Sequence, residues 1–166
     1  MITSAYVQTM ARYNIWQNSS LYSSAEKLTD LDRRKDRGAI FHSIHQTLSH
    51  LLWGDQMWMN RFAGMPKSSV GDVTGSLSMI ECWETLKEER EVMDKAIIEW
   101  SKDVKQEFLE SDMSWYSGSQ NRVFSSNAGR LVVHMFNHQT HHRGQVHAML
   151  TGAGVFPDDT DLFIME

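Results

Sequence analysis

The chain has few means of covalent cross-linking or membrane anchoring. It holds a single cysteine, Cys82, in 166 residues, which excludes an internal disulfide and a paired-thiolate zinc site and suits a reducing compartment. No run of about eighteen apolar residues occurs, so no membrane-crossing helix is expected. The opening Met1-Ile2-Thr3-Ser4-Ala5-Tyr6 has no basic region leading into an apolar core. The expectation is a soluble, cytoplasmic protein with no membrane partner. Clustered basic charge is scarce as well: the net charge is -5 and the pI about 5.9. The one basic cluster, Arg33-Arg34-Lys35 with Arg37, is interrupted by Asp30, Asp32 and Asp36, and it is expected to be a solvated helix start. Neutralising phosphates takes grouped Lys and Arg, so a nucleic-acid partner is not expected.

What is present is helical patterning in a chain of one-domain length, 1–166, with enough apolar content for a single core. Tyr6, Val7, Met10, Tyr13, Asn14, Leu21 and Ala25 recur at helical spacing and predict a first helix from about Thr3 to Glu26. A second is expected from about Arg34 to Phe62, with Ile40, Phe41, Ile44, Leu48, Leu51, Leu52, Trp58, Met59 and Phe62 as its apolar stripe. Asp55 falls inside that stripe, which implies a buried carboxylate with a partner. Gly64 to Gly75 is the main loop. Ser78 and Glu81 fit a capping box for a third helix reaching about Val104, on which Glu88, Glu89 and Arg90 are expected to face solvent.

Around Ser117-Gly118-Ser119-Gln120-Asn121 the pattern changes to two very short strands, Trp115-Tyr116 and Val123-Phe124. The last helix runs from Ala128 to Leu150, capped by Ser126 or Asn127, free of proline and stopped by Gly152 and Gly154. An extended tail closes the chain. The fold class predicted is all-α, a four-helix bundle with a short hairpin insertion before the last helix; metal sites in such folds are built from facing helices. The six tryptophans and eleven methionines are expected to serve as packing in that core.

Five of the eight histidines fall between His134 and His147. His138 and His142 are four apart and project about 40° from one another on a helix, a spacing at which two imidazoles can hold one metal ion. On the wheel, Ala128, Leu131, Val132, Met135, Val146, Met149 and Leu150 share an apolar arc; His142 lies inside it and His138 at its edge. His134 and His141 lie toward the polar side and His147 roughly opposite. A histidine-rich polar face with one or two core histidines is the other reading of the same pattern. A catalytic zinc or nickel centre needs a third protein ligand, and periodicity does not choose among His42, His45 and His50 on the second helix.

The string Asn137-His138-Gln139-Thr140-His141-His142-Arg143-Gly144-Gln145-Val146-His147 resembles the C-terminal metal-binding motif of the DinB family. Tyr13 to Asn18 resembles that family's first-helix signature, His50 to Trp58 its second-helix ligand segment, and Gly154 through Leu162 its closing tail. The resemblance spans nearly the whole chain and implies the family's four-helix bundle. It implies His50, His138 and His142 as the metal ligands, with nickel or zinc as the metal. It leaves His42, His45, His134, His141 and His147 as surface or supporting residues. Relatives of this kind include transferases and isomerases that use low-molecular-weight thiols, and they often form homodimers, so a small-molecule thiol substrate and a dimer are expected.

The chemistry this allows is a metal-activated thiol or water attacking an electrophile, in a transferase or a hydrolase. Arg143, next to a ligand, is a candidate to orient an anionic group of the substrate, or else to pair with Asp55 or another carboxylate. The competing reading is a non-catalytic protein, structural or stress-related, in which the metal pins the second and last helices together. Cys82 has no histidine partner in sequence for nucleophilic work.

Overall fold

The computed structural model describes residues 2–118 and 120–165; Ser119, in the predicted turn, lies outside the described residues, as do the two terminal positions. Its elements are α1 (Ser4–Glu26), α2 (Asp30–Arg34), α3 (Ile44–Ala63), α4 (Val73–Ser76), α5 (Trp83–Asp103), α6 (Gln106–Glu110), β1 (Asp112–Ser117), β2 (Arg122–Asn127) and α7 (Ala128–Gly152), followed by a short 3-10 turn at Leu162–Ile164. α1 and α3 each pack on both α5 and α7, so the four long helices form a ring. The core where they meet holds Val7, Leu48, Leu52, Met59, Leu86, Ile97, Met135, Phe136 and Leu150.

The helix ends follow from local chemistry. Thr3, Ser43 and Asn127 stand before α1, α3 and α7 and accept hydrogen bonds from the backbone N–H groups of Tyr6, Gln46 and Arg130, donors that have no partner inside the helix. Gly64 ends α3 in the left-handed region at φ 66, where a side chain would be strained. The tail lies over α1: Tyr13 donates to the Thr160 carbonyl at 2.6 Å, Gln17 to that of Asp159 at 2.9 Å, and the Asp158 N–H to Ser20 Oγ at 2.8 Å.

Two helix starts differ from expectation. The second long helix begins at Ile44, not near Arg34, because positive φ at Gly38 (71) and His42 (57) turns the chain, and Ser43 then caps a fresh start. Ile40, expected in the apolar stripe, is 69% exposed, while Phe41 is buried outside any helix. The third begins at Trp83, and the Ser78–Glu81 capping box does not form. Glu81 instead accepts from Arg34 at 2.7 Å.

The hairpin is longer than the two short strands expected. Its six-residue strands pair antiparallel, with Trp115 opposite Phe124, and the alternating exposure of β1 turns Met113 and Trp115 toward the bundle. Of the six tryptophans only Trp83 is buried; Trp16, Trp53, Trp58, Trp100 and Trp115 are half-buried. They line seams between elements, and aliphatic side chains fill much of the centre.

Candidate metal centre

His50 on α3 and His138 and His142 on α7 come together, each offering a ring nitrogen, with these atoms all within 4.8 Å of one another. His50 Nε2 and His138 Nε2 are 3.2 Å apart. The helical wheel holds here: the seven apolar positions of α7 are buried, His142 is 7% exposed, His138 is half-buried, and His134 and His141 are at the surface. His50, unresolved by periodicity, is the α3 histidine that joins them, at 3% exposed.

The hydrogen bonds fix which nitrogens are free. Ser76 spends its hydroxyl proton on the Val73 carbonyl at 2.6 Å, so Ser76 Oγ, 2.9 Å from His50 Nδ1, acts there as acceptor. His50 therefore carries its proton on Nδ1 and presents a bare lone pair at Nε2. His142 does the same, with Nδ1 donating to Gln145 Oε1 at 2.7 Å. Partners of this kind orient metal-binding imidazoles and set their tautomers.

Burial keeps the rings neutral. His50 is pushed down to about 3, first by burial and then by the neighbouring His138 and His142. His138 is pushed down to about 4 by burial and by His142, against a raising pull from Asp55. His142 is also lowered, chiefly by burial. Two oriented lone pairs and a third neutral ring facing one space are a poor hydrogen-bonding set and a fitting donor set for a divalent cation.

Phe41 covers the trio, its ring centre 4.1 Å from that of His50 and 5.1 Å from that of His142. Gly54 makes room for it: a Cβ there would lie 2.9 Å from His138 Cε1, closer than carbon atoms pack. The sequence reading did not find Phe41, Ser76 and Gly54 as parts of the site. Phe41 had the signal of a large apolar residue just before a serine cap; Ser76 had none, since only the tertiary fold brings it to His50.

A second buried polar cluster lies beside the first. Asp55, 1% exposed, accepts from Arg90 at 2.6 Å and from Gln139, and Arg90 also pairs with Asp94 at 2.8 Å. Asn14 and Asn18 donate to Asp94, and Arg143 donates to Asn14 Oδ1. All four long helices contribute. Asp55 thus has the partner its position implied, but that partner, Arg90, was expected at the solvent face and is 3% exposed. Arg90 is seven residues from Trp83 and four from Leu86, on the buried arc of α5, which is the signal that would have placed it.

On α7 the two clusters use adjacent i,i+4 pairs, about 100° apart around the axis: His138 and His142 face the trio, Gln139 and Arg143 the ion network. Arg143 is buried, with its guanidinium on Asn14 and Thr140 and 5.5 Å above the Tyr13 ring. Burial lowers it to about 10. It makes no ion pair with Asp55. His45 is fully buried and donates to the Ile80 carbonyl at 2.8 Å, holding α3 to the segment before α5. His42 lies 3.5 Å from Asp36, and His147 is half-buried on α7.

Fold and site together define a helical-bundle protein with a hairpin insertion and a three-histidine constellation able to hold a metal ion. The DinB family model matches residues 1–166, and the chain belongs to that family. It is similar to Protein DinB of Bacillus subtilis (strain 168), 26% identical over 154 residues, which cover 90% of this chain and 87% of that protein. A DinB-like protein from Bacillus cereus ATCC 10987 has the same fold, with a TM-score of 0.63 and 16% identity over 87% of this chain and 91% of that one. Among the described residues no helix is long and apolar enough to cross a membrane.

Proposed function

We propose that the protein is a divalent-metal-dependent enzyme, a transferase that activates a low-molecular-weight thiol, with nickel or zinc held by His50, His138 and His142. The observation that carries this reading is the convergence of three neutral imidazoles, two with their outer nitrogens tied to Ser76 and Gln145. A divalent ion in that place would lower the pKa of a thiol or water occupying an open position. Among the described residues no fourth Cys, His, Asp or Glu joins the trio, whereas structural zinc sites usually fill four positions with protein ligands.

The chain's own residues supply the rest. Phe41 shields His50 and His142 from water. Two further imidazoles flank the trio, His141 at 4.8 Å ring to ring from His142 and His134 at 6.2 Å from His138. Arg143 is already engaged by Asn14 and Thr140, so its proposed part in orienting an anionic group is the weaker assignment; holding α1 against α7 is the role its bonds support.

Two measurements test the reading. Elemental mass spectrometry on protein purified without a histidine tag is expected to give about one nickel or zinc per chain, lost in His138→Ala and His142→Ala. Thiol addition to model electrophiles is expected to be faster with metal-loaded protein than with His142→Ala. Equal rates exclude the transferase; metal-dependent hydrolysis in their place would favour the hydrolase reading, and a large fall in melting temperature on chelation without turnover the structural one. The proposed homodimer is checked by light scattering.

A further inference from the structure

The seam between α3 and α7 continues past the histidines as a strip of aromatic rings. The His138 ring is 6.2 Å from His134, His134 is 5.3 Å from Trp58, and Trp58 is 5.9 Å from Trp115 on the hairpin. Trp115 in turn stacks on Phe124, its cross-strand partner, at 5.6 Å and 18°. Arg61 sits over this strip, 4.6 Å from the Trp58 ring centre and 5.6 Å from that of Trp115.

Arg61 is unlike the other arginines. Arg33, Arg34, Arg37, Arg90 and Arg143 are all at least partly buried, and each donates to a carboxylate, a carbonyl or a side-chain amide. Arg12, Arg122 and Arg130 are exposed to water. Among the described residues Arg61 alone is half-buried with no carboxylate within 4.0 Å and no hydrogen-bond acceptor; its contacts are the two indole faces. Burial alone lowers its pKa, with no acid nearby to raise it. A guanidinium partly removed from water and set against two rings has five donors in a fixed fork that matches a carboxylate. The rings account for its position and leave those donors open to solvent.

We propose that this strip is the substrate seat of the histidine centre, and that it takes an organic anion with a planar apolar body: the anionic group on Arg61, the planar part against Trp58 and Trp115, the reacting end at the histidines. This rests on the trio being a reaction centre. Arg61 is seven residues from Gly54, which faces His138, so the two ends of the seat are separated by roughly 10 Å along α3. A ring system with a carboxylate at the end away from the reacting atom spans that length. The hairpin supplies one wall, through Trp115 and Phe124.

The test compares 2-naphthoate with its uncharged analogue 2-naphthamide, by calorimetry and tryptophan fluorescence, on the metal-loaded protein, on His142→Ala and on Arg61→Gln. The expected result is saturable one-to-one binding of the acid about tenfold tighter than the amide, the size of a charge-assisted pair. That preference is expected to persist in His142→Ala and to vanish in Arg61→Gln while metal content is unchanged. Equal affinity of acid and amide for the unaltered protein, absence of saturable binding, or a preference that survives Arg61→Gln overturns the seat. The comparison on the unaltered protein needs no variant to fold. A protein that takes up no metal yet keeps the acid preference would sink the enzyme reading but not the anion seat; metal-dependent turnover without the preference would sink the seat alone.

Discussion

Two clusters of polar side chains are buried side by side in this bundle, and they solve the problem of burial in opposite ways. In the ion network, two carboxylates, Asp55 and Asp94, share the guanidinium of Arg90, with Asn14, Asn18 and Gln139 donating to them and Arg143 joined through Asn14. Burial opposes the Arg90 charge, but Asp94 and Asp55 outweigh it and raise its pKa. In the histidine trio burial wins instead: the rings stay neutral and turn lone pairs toward one another. The first cluster balances its charges from within the chain, although Arg90 Nε and Gln139 Oε1 are buried without a hydrogen-bond partner. The second offers its lone pairs to a space that a cation could fill, and that difference separates a structural cluster from a candidate site.

A large effect is expected where the ion network is broken. Arg90→Met leaves Asp55 and Asp94 buried without their common partner, which should cost about 3–5 kcal/mol, a large share of a typical domain's stability. Urea unfolding checks this, and a loss below about 1 kcal/mol would mean that water reaches the carboxylates. The corresponding change in the trio, His138→Ala, is expected to abolish metal binding while moving the melting temperature of the metal-free protein little. If the two variants destabilise the metal-free protein equally, the contrast is lost.

Gly54→Ala sharpens the comparison, because it touches the trio through sterics alone. The added methyl meets the His138 ring, so metal affinity in a chelator competition should fall roughly 10–100-fold, the range seen when ligand orientation is disturbed. The helix itself should gain, since Ala is favoured over Gly by about 0.8–1 kcal/mol. Gln145→Ala acts one bond further out, freeing His142 Nδ1, and about a tenfold loss of affinity is expected. Affinity unchanged in both variants would show that packing, without these partners, orients the rings.

A further effect is in pH. His50, His138 and His142 have folded pKa values below the ordinary histidine value near 6.5, so the unfolded chain binds more protons than the folded one once the pH drops below it. Stability of the metal-free protein should therefore be unaffected by these groups above about pH 6.5 and fall as pH descends toward 4. Urea midpoints measured across that window check it. His50→Ala should flatten the slope, and an unchanged slope would assign the acid sensitivity to other groups.

Much of this was open to inspection in the sequence. Local hydrogen-bonding and periodicity set α1 and α7 nearly residue by residue, since a cap at Asn127 and an apolar arc from Ala128 to Leu150 depend only on neighbours in the chain. The same arithmetic placed His138 and His142 on an inward edge and Asp55 in the core. The starts of α3 and α5 were misplaced because apolar residues such as Ile40 and Ile80 continue the helical period through segments where the backbone leaves it, at positive φ in His42 and at extended φ/ψ in Cys82.

What only the tertiary structure decided is which residues from different helices meet. Periodicity did not choose among His42, His45 and His50; packing of α3 on α7 selects His50, because Gly54 one turn later lets the His138 ring approach. Ser76 becomes the partner of His50 only when α4 folds back, and Arg90 that of Asp55 only when α5 crosses α3. A helix fixes its own faces through bonds four residues long, whereas a site is a set of coincidences between faces. Those are determined when the core closes.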